Sequence, residues 1–226
     1  MHIIEIYKSL QGESTFTGLP CIFVRLAGCN LRCDWCDSEY TFTGGKKMSL
    51  DEVEAEVKRL APCMLVEFTG GEPMLQEKEL LPLMDRFLAQ GHTLLLETSG
   101  ERPLANVPRA VHKIVDVKCP DSGEGGSFHL PNLEALTGND EIKFVLSSRK
   151  DYEFAREFSR EHKLPEVVNA VLFSPAFRKD AGPERSAEHC LLDPLQLAEW
   201  ILADGLDVRL GLQVHKFIWP PQTKGV

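Results

Sequence analysis

Apolar and polar residues are arranged along this chain in blocks that predict strands and helices in alternation. Short apolar runs are typical of buried strands, and the longer segments between them carry apolar residues at the spacing of one helix face. Strands that alternate with helices predict βαβ units and a parallel sheet, which is an α/β fold. The predicted strands are residues 2–7, 21–26, 63–68, 92–97, 113–118, 141–146, 167–173 and 207–214.

Capping residues mark where several of the helices begin. Ser49 and Glu52 form a capping box, so a helix is predicted from there to Pro62. A second apolar stripe ends at Gly91, and Pro82 is placed in the first turn of that helix, where its missing N–H costs nothing. The remaining helices are predicted over about 150–162 and from Asp193-Pro194 to Gly205.

Residues that could bind a ligand or a metal follow the predicted strands directly. Ligands of barrels and doubly wound sheets bind at the carboxyl ends of the strands, so these positions are expected to share one site. They are Cys29, Thr69–Pro73, Thr98–Gly100, Lys118 and Ser174.

Composition narrows the class of protein. The chain has 226 residues and a net charge of −9, which argues against a broad nucleic-acid or membrane surface. It has no apolar run near the roughly 20 residues of a spanning helix and no basic-then-apolar start typical of a signal peptide. We therefore expect a cytoplasmic protein with one domain over 1–226.

Three of the seven cysteines lie in one short loop, Cys29, Cys33 and Cys36, with the spacing C-x3-C-x2-C. In a cytosolic chain such clustering favours metal over disulfides. Three thiolates can hold three irons of a cubane cluster and leave the fourth iron open for a ligand. A zinc site is the alternative, with the fourth ligand supplied by Cys21, Cys63, Cys119 or a histidine.

Several polar residues have a functional and an ordinary interpretation. The glycines of Thr69–Pro73 allow close approach of a ligand, and Glu72 can bind an ammonium group, but a plain βα turn fits equally. Lys118 can pair with a carboxylate or ribose, or simply end a strand in solvent. Gln11 and Glu13 fit a loop that reaches over the sheet, and also an ordinary polar turn. Ser38 is a weak candidate ligand for Mg²⁺, which prefers oxygen donors.

The cysteine spacing, with Trp35 before the third cysteine and Gly70–Pro73 after the next strand, resembles the radical S-adenosylmethionine (SAM) superfamily. Within it, the chain resembles a branch that contracts a pterin ring to a 7-deazapurine for queuosine-type compounds. That second resemblance is carried by Leu10–Glu13, Phe23–Arg25, Cys33–Ser38, Glu97–Gly100 and Gln213–Lys216.

The resemblance implies an incomplete, open (β/α)6-type barrel with a cluster loop at 27–47 and a tail at 215–226. It implies a [4Fe–4S] cluster, SAM and Mg²⁺ as cofactors, with the cluster on the three loop cysteines and Mg²⁺ on Ser38. The substrate implied is 6-carboxy-5,6,7,8-tetrahydropterin. Its contacts fall on Leu10, Gln11, Gly12, Glu13, Arg25, Thr69 and Val226. SAM contacts fall on Gly71, Glu72, Asp116, Val117, Lys118, Phe173, Ser174, Pro175 and Ala176.

The same resemblance implies a homodimer and a flavodoxin-like or ferredoxin-like reductant. Two other functions compete with the ring-contracting enzyme. A radical SAM activase for a glycyl-radical partner would need a surface for a protein substrate, whereas Gln11, Glu13 and Arg25 favour a small polar heterocycle. A zinc or electron-transfer module would need a fourth metal ligand and would not depend on SAM.

Overall fold

A continuous, mostly parallel sheet forms the framework of the computed structural model, which describes residues 1–226. Its strands are β1 His2–Leu10, β2 Pro20–Leu26, β3 Lys46–Lys47, β4 Leu65–Gly70, β5 Thr93–Thr98, β6 His112–Asp116, β7 Glu141–Leu146, β8 Ala170–Pro175 and β9 Arg209–Leu210. Their order in the sheet is β3-β1-β2-β4-β5-β6-β7-β8-β9.

Strand direction divides the sheet into two parts. From β2 through β9 all neighbours pair in parallel, whereas β1 is antiparallel to both β2 and β3. No pairing joins β3 to β9, so the sheet is open. The predicted incomplete (β/α)6-type barrel is confirmed, with β2 and β4 to β8 as its long parallel strands.

The helices of the chain are α1 Leu50–Arg59, α2 Glu77–Ala89, α3 Arg149–Glu161, α4 Leu164–Val167, α5 Pro194–Asp204 and α6 His215–Ile218. The longer helices cover one face of this sheet, whereas the short α6 lies beside a cleft on the other face. The capping box forms as predicted, since Ser49 Oγ accepts from the Glu52 amide and the Glu52 carboxylate accepts from the Ser49 amide. None of the helices is both long and apolar enough to cross a membrane.

Side-chain alternation gives the two faces of the sheet different chemistry. The helix-covered face carries the main core, in which Phe68 and Phe144 of the sheet are buried with helical residues such as Phe87 and Tyr152. The opposite face begins with a small apolar layer of Cys21, Phe23, Leu65, Leu95 and Ile114. Beyond this layer, toward the carboxyl ends of the strands, the residues become polar.

Some predicted boundaries are wrong. The first strand continues through Leu10, because its antiparallel pairing with β2 reaches Pro20. Cys63 precedes β4, and it is half-buried with its thiol directed to the Pro20 carbonyl at 3.3 Å. The last strand is only Arg209–Leu210 instead of 207–214, since only these two residues pair with β8.

Pro82 also differs from its predicted place. Helix α2 begins at Glu77, directly after a 3₁₀ turn over Pro73–Gln76, so Pro82 lies inside the helix beyond its first turn. The missing N–H therefore leaves the Lys78 carbonyl without its usual helical donor.

Candidate active site at the carboxyl ends of the strands

A cleft opens at the carboxyl ends of the parallel strands, on the face turned away from the main core. Both the cysteine loop and the C-terminal tail contribute to its walls. Most of the predicted site residues line it: Leu10, Gln11, Gly12, Glu13, Arg25, Cys29, Cys33, Cys36, Ser38, Thr69, Gly71, Asp116, Lys118 and Val226. The predicted residues Glu72, Val117 and Phe173–Ala176 are not in the lining, because they are buried behind it.

The cysteine loop is attached to the end of β4 by backbone contacts. The Glu72 amide donates to the Gly28 carbonyl at 2.8 Å. A Cβ atom at position 71 would overlap that carbonyl oxygen and lie 2.7 Å from Cβ of Cys29. Gly71 is therefore required for β4 and the loop to pack this closely, which brings the first cysteine beside the sheet.

The three thiols are half-buried and all face the cleft. Burial raises the pKa of Cys33 to about 11 and also raises the pKa values of Cys29 and Cys36. Thiols of this kind remain protonated until a metal supplies positive charge, and thiolates are the ligands that iron–sulfur clusters use. No three His, Cys, Asp or Glu side chains converge as they would around a single metal ion. Three half-buried thiols that line one cleft are the type of donor set that iron–sulfur clusters use.

Glu72 has an internal hydrogen-bonding role in this structure. One carboxylate oxygen accepts from the Thr98 hydroxyl at 2.8 Å and the Met74 amide at 3.0 Å. The other accepts from the Ser99 amide at 2.9 Å and the Ser99 hydroxyl at 2.7 Å. Through these bonds Glu72 links the turn after β4 to the turn after β5. Its side chain is fully buried, and its contact with SAM stays a prediction.

Asp116 and Lys118 form part of the cleft wall at the end of β6. Lys118 Nζ lies 2.7 Å from Asp116 Oδ2. Asp116 Oδ1 is buried and has no hydrogen-bond partner in the protein. A buried polar atom is costly without a hydrogen-bond partner, so this oxygen is available to accept from a ligand. The hydroxyl and ammonium groups of SAM are donors that fit it.

Lys143 lies among carboxylates on the floor of the cleft. Its side chain is 3% exposed, and its ammonium group lies 2.8 Å from Glu13 and 4.0 Å from Asp116 and is also bonded to Glu97. Burial opposes the ionisation of Glu13, but Lys143 and then His215 outweigh it and hold the Glu13 pKa down at about 2. Burial prevails at Glu97, whose pKa rises to about 7 despite Lys143.

Gln11 is oriented by the loop that follows β1. Its carbonyl oxygen accepts from the amides of Glu13 at 2.9 Å and Ser14 at 3.0 Å. Its amide nitrogen consequently points toward Glu67, to which it donates at 3.2 Å. Glu67 lies within β4, and its side chain lines the floor of the cleft beside Gln11.

Arg25 lies at the end of β2 and is held by β1. Its Nε donates to Glu5 at 2.8 Å and one terminal nitrogen donates to the Tyr7 hydroxyl at 2.9 Å. These bonds fix the plane of the guanidinium, and the group still lines the cleft. Such a preoriented guanidinium suits a carboxylate of the ligand.

The tail covers the mouth of the cleft near the cysteine loop. Lys216 is buried, with Nζ 2.6 Å from Asp37 and 5.0 Å from the centre of the Phe177 ring. Lys224 lies over the Tyr40 ring at 4.2 Å. Ser38, next to Asp37, donates its hydroxyl to that carboxylate at 3.0 Å, so two oxygen-bearing side chains face one another beside the third cysteine.

Three charged residues of the cleft floor were missed from the sequence: Glu67, Glu97 and Lys143. Glu67 and Lys143 each interrupt an apolar run that was assigned only as a strand, for example Leu65-Val66-Glu67-Phe68, and Glu97 ends such a run. A charge in the middle of a buried strand is costly unless it is paired or used, and this was the available signal.

The comparisons with known proteins agree with this geometry. The family model of the Radical SAM superfamily matches residues 24–171, and the chain belongs to that superfamily. A 7-carboxy-7-deazaguanine synthase from Koribacter versatilis is 70% identical over 226 residues, which is 100% of both chains. One from Chlorobaculum tepidum is 38% identical and covers 100% of this chain and 97% of its own. Within the superfamily, the chain belongs to the 7-carboxy-7-deazaguanine synthases.

A solved structure shows the same fold. QueE from Escherichia coli superimposes with a TM-score of 0.71 at 24% identity, covering 93% of this chain and 92% of its own. Membership of the family implies a [4Fe–4S] cluster and SAM as cofactors, and the thiols and the unfilled acceptor of the cleft fit both.

Proposed function

We propose that this chain converts 6-carboxy-5,6,7,8-tetrahydropterin to 7-carboxy-7-deazaguanine, with ring contraction and loss of ammonia, in the synthesis of queuosine-type compounds. One observation carries the proposal: the three thiols, the Asp116–Lys118 wall and a floor of Glu13, Arg25 and Lys143 share one cleft. When bound, the cluster and SAM supply the one-electron chemistry that begins the reaction with hydrogen-atom removal.

The cleft divides into two regions in this proposal. Cys29, Cys33 and Cys36 hold the cluster, and Gly71, Asp116 and Lys118 contact SAM. Glu72, Val117 and Phe173–Ala176 support that region from behind, as their burial requires. The substrate lies over the floor, with contacts to Leu10, Gln11, Gly12, Glu13, Arg25, Thr69 and Val226.

The charges of the protein fit these assignments. Arg25 is oriented to receive the substrate carboxylate, and its ion pair with Glu5 keeps its plane fixed when the ligand arrives. Glu13 stays ionised at neutral pH beside Lys143 and offers an acceptor to the amino groups of the pterin. The tail excludes water from a site in which a reactive radical must be protected.

Ser38 and Asp37 present oxygen atoms beside Cys36, and we assign Mg²⁺ to Ser38. Mg²⁺ keeps several waters and takes few protein ligands, so one hydroxyl with nearby carboxylates is sufficient. Calorimetric titration with Mg²⁺ in the presence of substrate tests this assignment, with Ser38→Ala as the variant. Equal binding to both proteins would contradict it.

The proposal also includes a flavodoxin-like or ferredoxin-like reductant, a homodimer and a cytoplasmic location. No nucleic-acid partner is included, because the net charge of −9 gives no broad basic face. Sedimentation of the reconstituted protein tests the dimer, and a single species at the mass of one chain would exclude it.

The central experiment is anaerobic reconstitution, followed by incubation with SAM, a reductant, Mg²⁺ and the carboxylated pterin. We expect about four irons per chain and formation of the deazaguanine acid, which chromatography and mass spectrometry would detect. Fully loaded, reduced protein that forms no product would refute the proposal. Formation of a glycyl radical on an added protein partner would support the activase alternative instead.

A further inference from the structure

We propose that Glu67 contacts the substrate as a neutral carboxylic acid, and that its Oε1 donates a hydrogen bond to a carbonyl oxygen of the substrate. The inference rests on the proposed function, because it assigns a residue to the pterin half of that cleft. Glu67 lies on β4, where its side chain is 4% exposed and lines the cleft floor.

The first argument is the hydrogen bonding of Glu67. Its Oε2 accepts from Gln11 Nε2, and the Gln11 amide cannot turn over because two loop amides hold its oxygen. Oε1 has no hydrogen-bond partner in the protein. The anchored oxygen therefore serves as acceptor, and the free oxygen is the one available to a ligand.

The second argument is the absence of a cation beside Glu67. Lys143 bonds Glu13 and Glu97 instead, and no Lys, Arg or His forms an ion pair with Glu67. A buried carboxyl without a counter-ion favours its neutral form, since burial penalises charge. Burial, followed by Glu97, raises the pKa of Glu67 to about 8.

The titratable groups that face Glu67 come from four strands and from the loop after β1. Lys143 on β7 favours the ionised form of Glu67. The two carboxyl groups favour the neutral form of Glu67, and the remaining two groups are a neutral thiol and a neutral phenol. These titratable groups are Glu13 after β1, Tyr7 on β1, Cys21 on β2, Glu97 on β5 and Lys143 on β7. At neutral pH Glu67 is thus mainly a hydrogen-bond donor at the cleft floor.

The chemistry of a pterin fits this donor. Its pyrimidinone ring carries one carbonyl oxygen, which can accept from a carboxylic acid but is repelled by a carboxylate. The acidic neighbour Glu13 is ionised and suits the adjacent amino and N–H donors of the same ring. The floor of the cleft therefore offers Glu67 as a donor to the ring carbonyl and Glu13 as an acceptor for the neighbouring N–H groups.

The test uses Glu67→Gln and Glu67→Ala in the reconstituted enzyme with SAM. Glutamine keeps an acceptor for Gln11 and directs an N–H donor into the cleft at every pH, whereas alanine removes the donor. Substrate dissociation constants are measured anaerobically by calorimetry at pH 7 and pH 9, alongside kcat and KM. SAM affinity and thermal unfolding show whether each variant is folded.

We expect Glu67→Ala to weaken substrate binding by about tenfold or more at pH 7, because a buried donor is lost. Wild-type enzyme should lose affinity as the pH rises through about 8, whereas Glu67→Gln should bind about equally at both pH values. A Glu97→Gln control should keep the alkaline loss, moved to lower pH because a negative neighbour of Glu67 is gone.

Two outcomes would overturn the inference. If Glu67→Gln binds as weakly as Glu67→Ala at pH 7, the ionised carboxylate is the form that recognises the substrate. If Glu67→Ala binds as tightly as wild type, Glu67 has no contact with it. In either outcome wild-type turnover still supports the proposed function, whereas wild-type enzyme that neither binds nor converts the pterin would refute the function itself.

Discussion

Replacing Lys143 by methionine should destabilise the protein, and the penalty should increase with pH. Methionine fills a similar volume but leaves Glu13 and Glu97 without their shared cation. Glu13, whose pKa lies at about 2 in the presence of Lys143, would then have to take up a proton in the folded state. Glu97 contributes less, because its pKa of about 7 means that only about half of it is ionised at pH 7.

The magnitude follows from the proton that Glu13 must bind. The ordinary pKa of a glutamate is 4.5, so protonating it at pH 7 costs about 3 kcal/mol at ~1.4 kcal/mol per pH unit. The folded variant holds one more proton than its unfolded chain between about pH 4.5 and 7, so its stability falls as pH rises. The penalty should therefore be about 1.4 kcal/mol smaller at pH 6 than at pH 7.

The assay is thermal unfolding of the anaerobically reconstituted protein, followed by circular dichroism at pH 6 and pH 7. For a chain of this size, about 3 kcal/mol corresponds to a Tm decrease of about 6–12 °C. Lys150→Met is the matched control, because Lys150 also pairs with a carboxylate but is 65% exposed. Exposed pairs contribute about 0–1 kcal/mol, so its Tm should hardly change.

Equal Tm values for the two variants would refute the reasoning. So would a penalty for Lys143→Met that stays constant between pH 6 and pH 7, because the proposed cause is proton uptake by a carboxyl that ordinarily titrates near pH 4.5.

Three further predictions concern the turn after β4 and the tail. Gly71→Ala should lower the iron content of reconstituted protein by about half or more, because its Cβ would overlap the cysteine loop. Glu72→Gln should cost about 1–3 kcal/mol in chemical unfolding, since an amide replaces one of two oxygens that accept hydrogen bonds. Deleting Gly225-Val226 removes Val226 from the cleft lining. In calorimetry, the deletion should weaken substrate binding more than SAM binding.

Each of these predictions has a control or a contrary result. Gly138→Ala should retain full iron, because a Cβ there meets no atom within 4 Å; equal iron loss in both variants would exclude the contact as the cause. Wild-type stability in Glu72→Gln would mean that the buried carboxylate is not needed between the turns. Equal loss of SAM and substrate affinity on deleting the tail would argue against its specific role over the substrate.

Much of the fold could be predicted because apolar runs alternate with helical stripes over most of the chain. The parallel direction of the strands and the position of the cysteine loop follow from that alternation. The antiparallel β1 and the two-residue β9 could not, because their limits depend on which strand lies beside them. Pro82 was misplaced because the start of α2 is set by the preceding 3₁₀ turn.

The candidate site was only partly readable from the sequence. Glycines and cysteines that directly follow strands indicate a ligand site whichever residues lie beside them. The wall formed by the cysteine loop and the turn after β4 could therefore be predicted. Glu67, Glu97 and Lys143 became significant only when the strand register placed their side chains on one face of the sheet. Gln11 lines the cleft and its contact with the substrate stays a prediction, but sequence could not show that its side-chain oxygen is used by the loop itself.

The two ends of the sheet have a consequence for how copies of this chain can meet. Each end is a strand of two residues, Lys46–Lys47 and Arg209–Leu210, and all four residues are exposed. Short, basic edges of this kind offer few free backbone groups to another molecule and repel a second identical edge. Assembly by extending the sheet from one molecule into the next is therefore disfavoured, which protects the chain against edge-to-edge aggregation while the cleft stays open to small molecules.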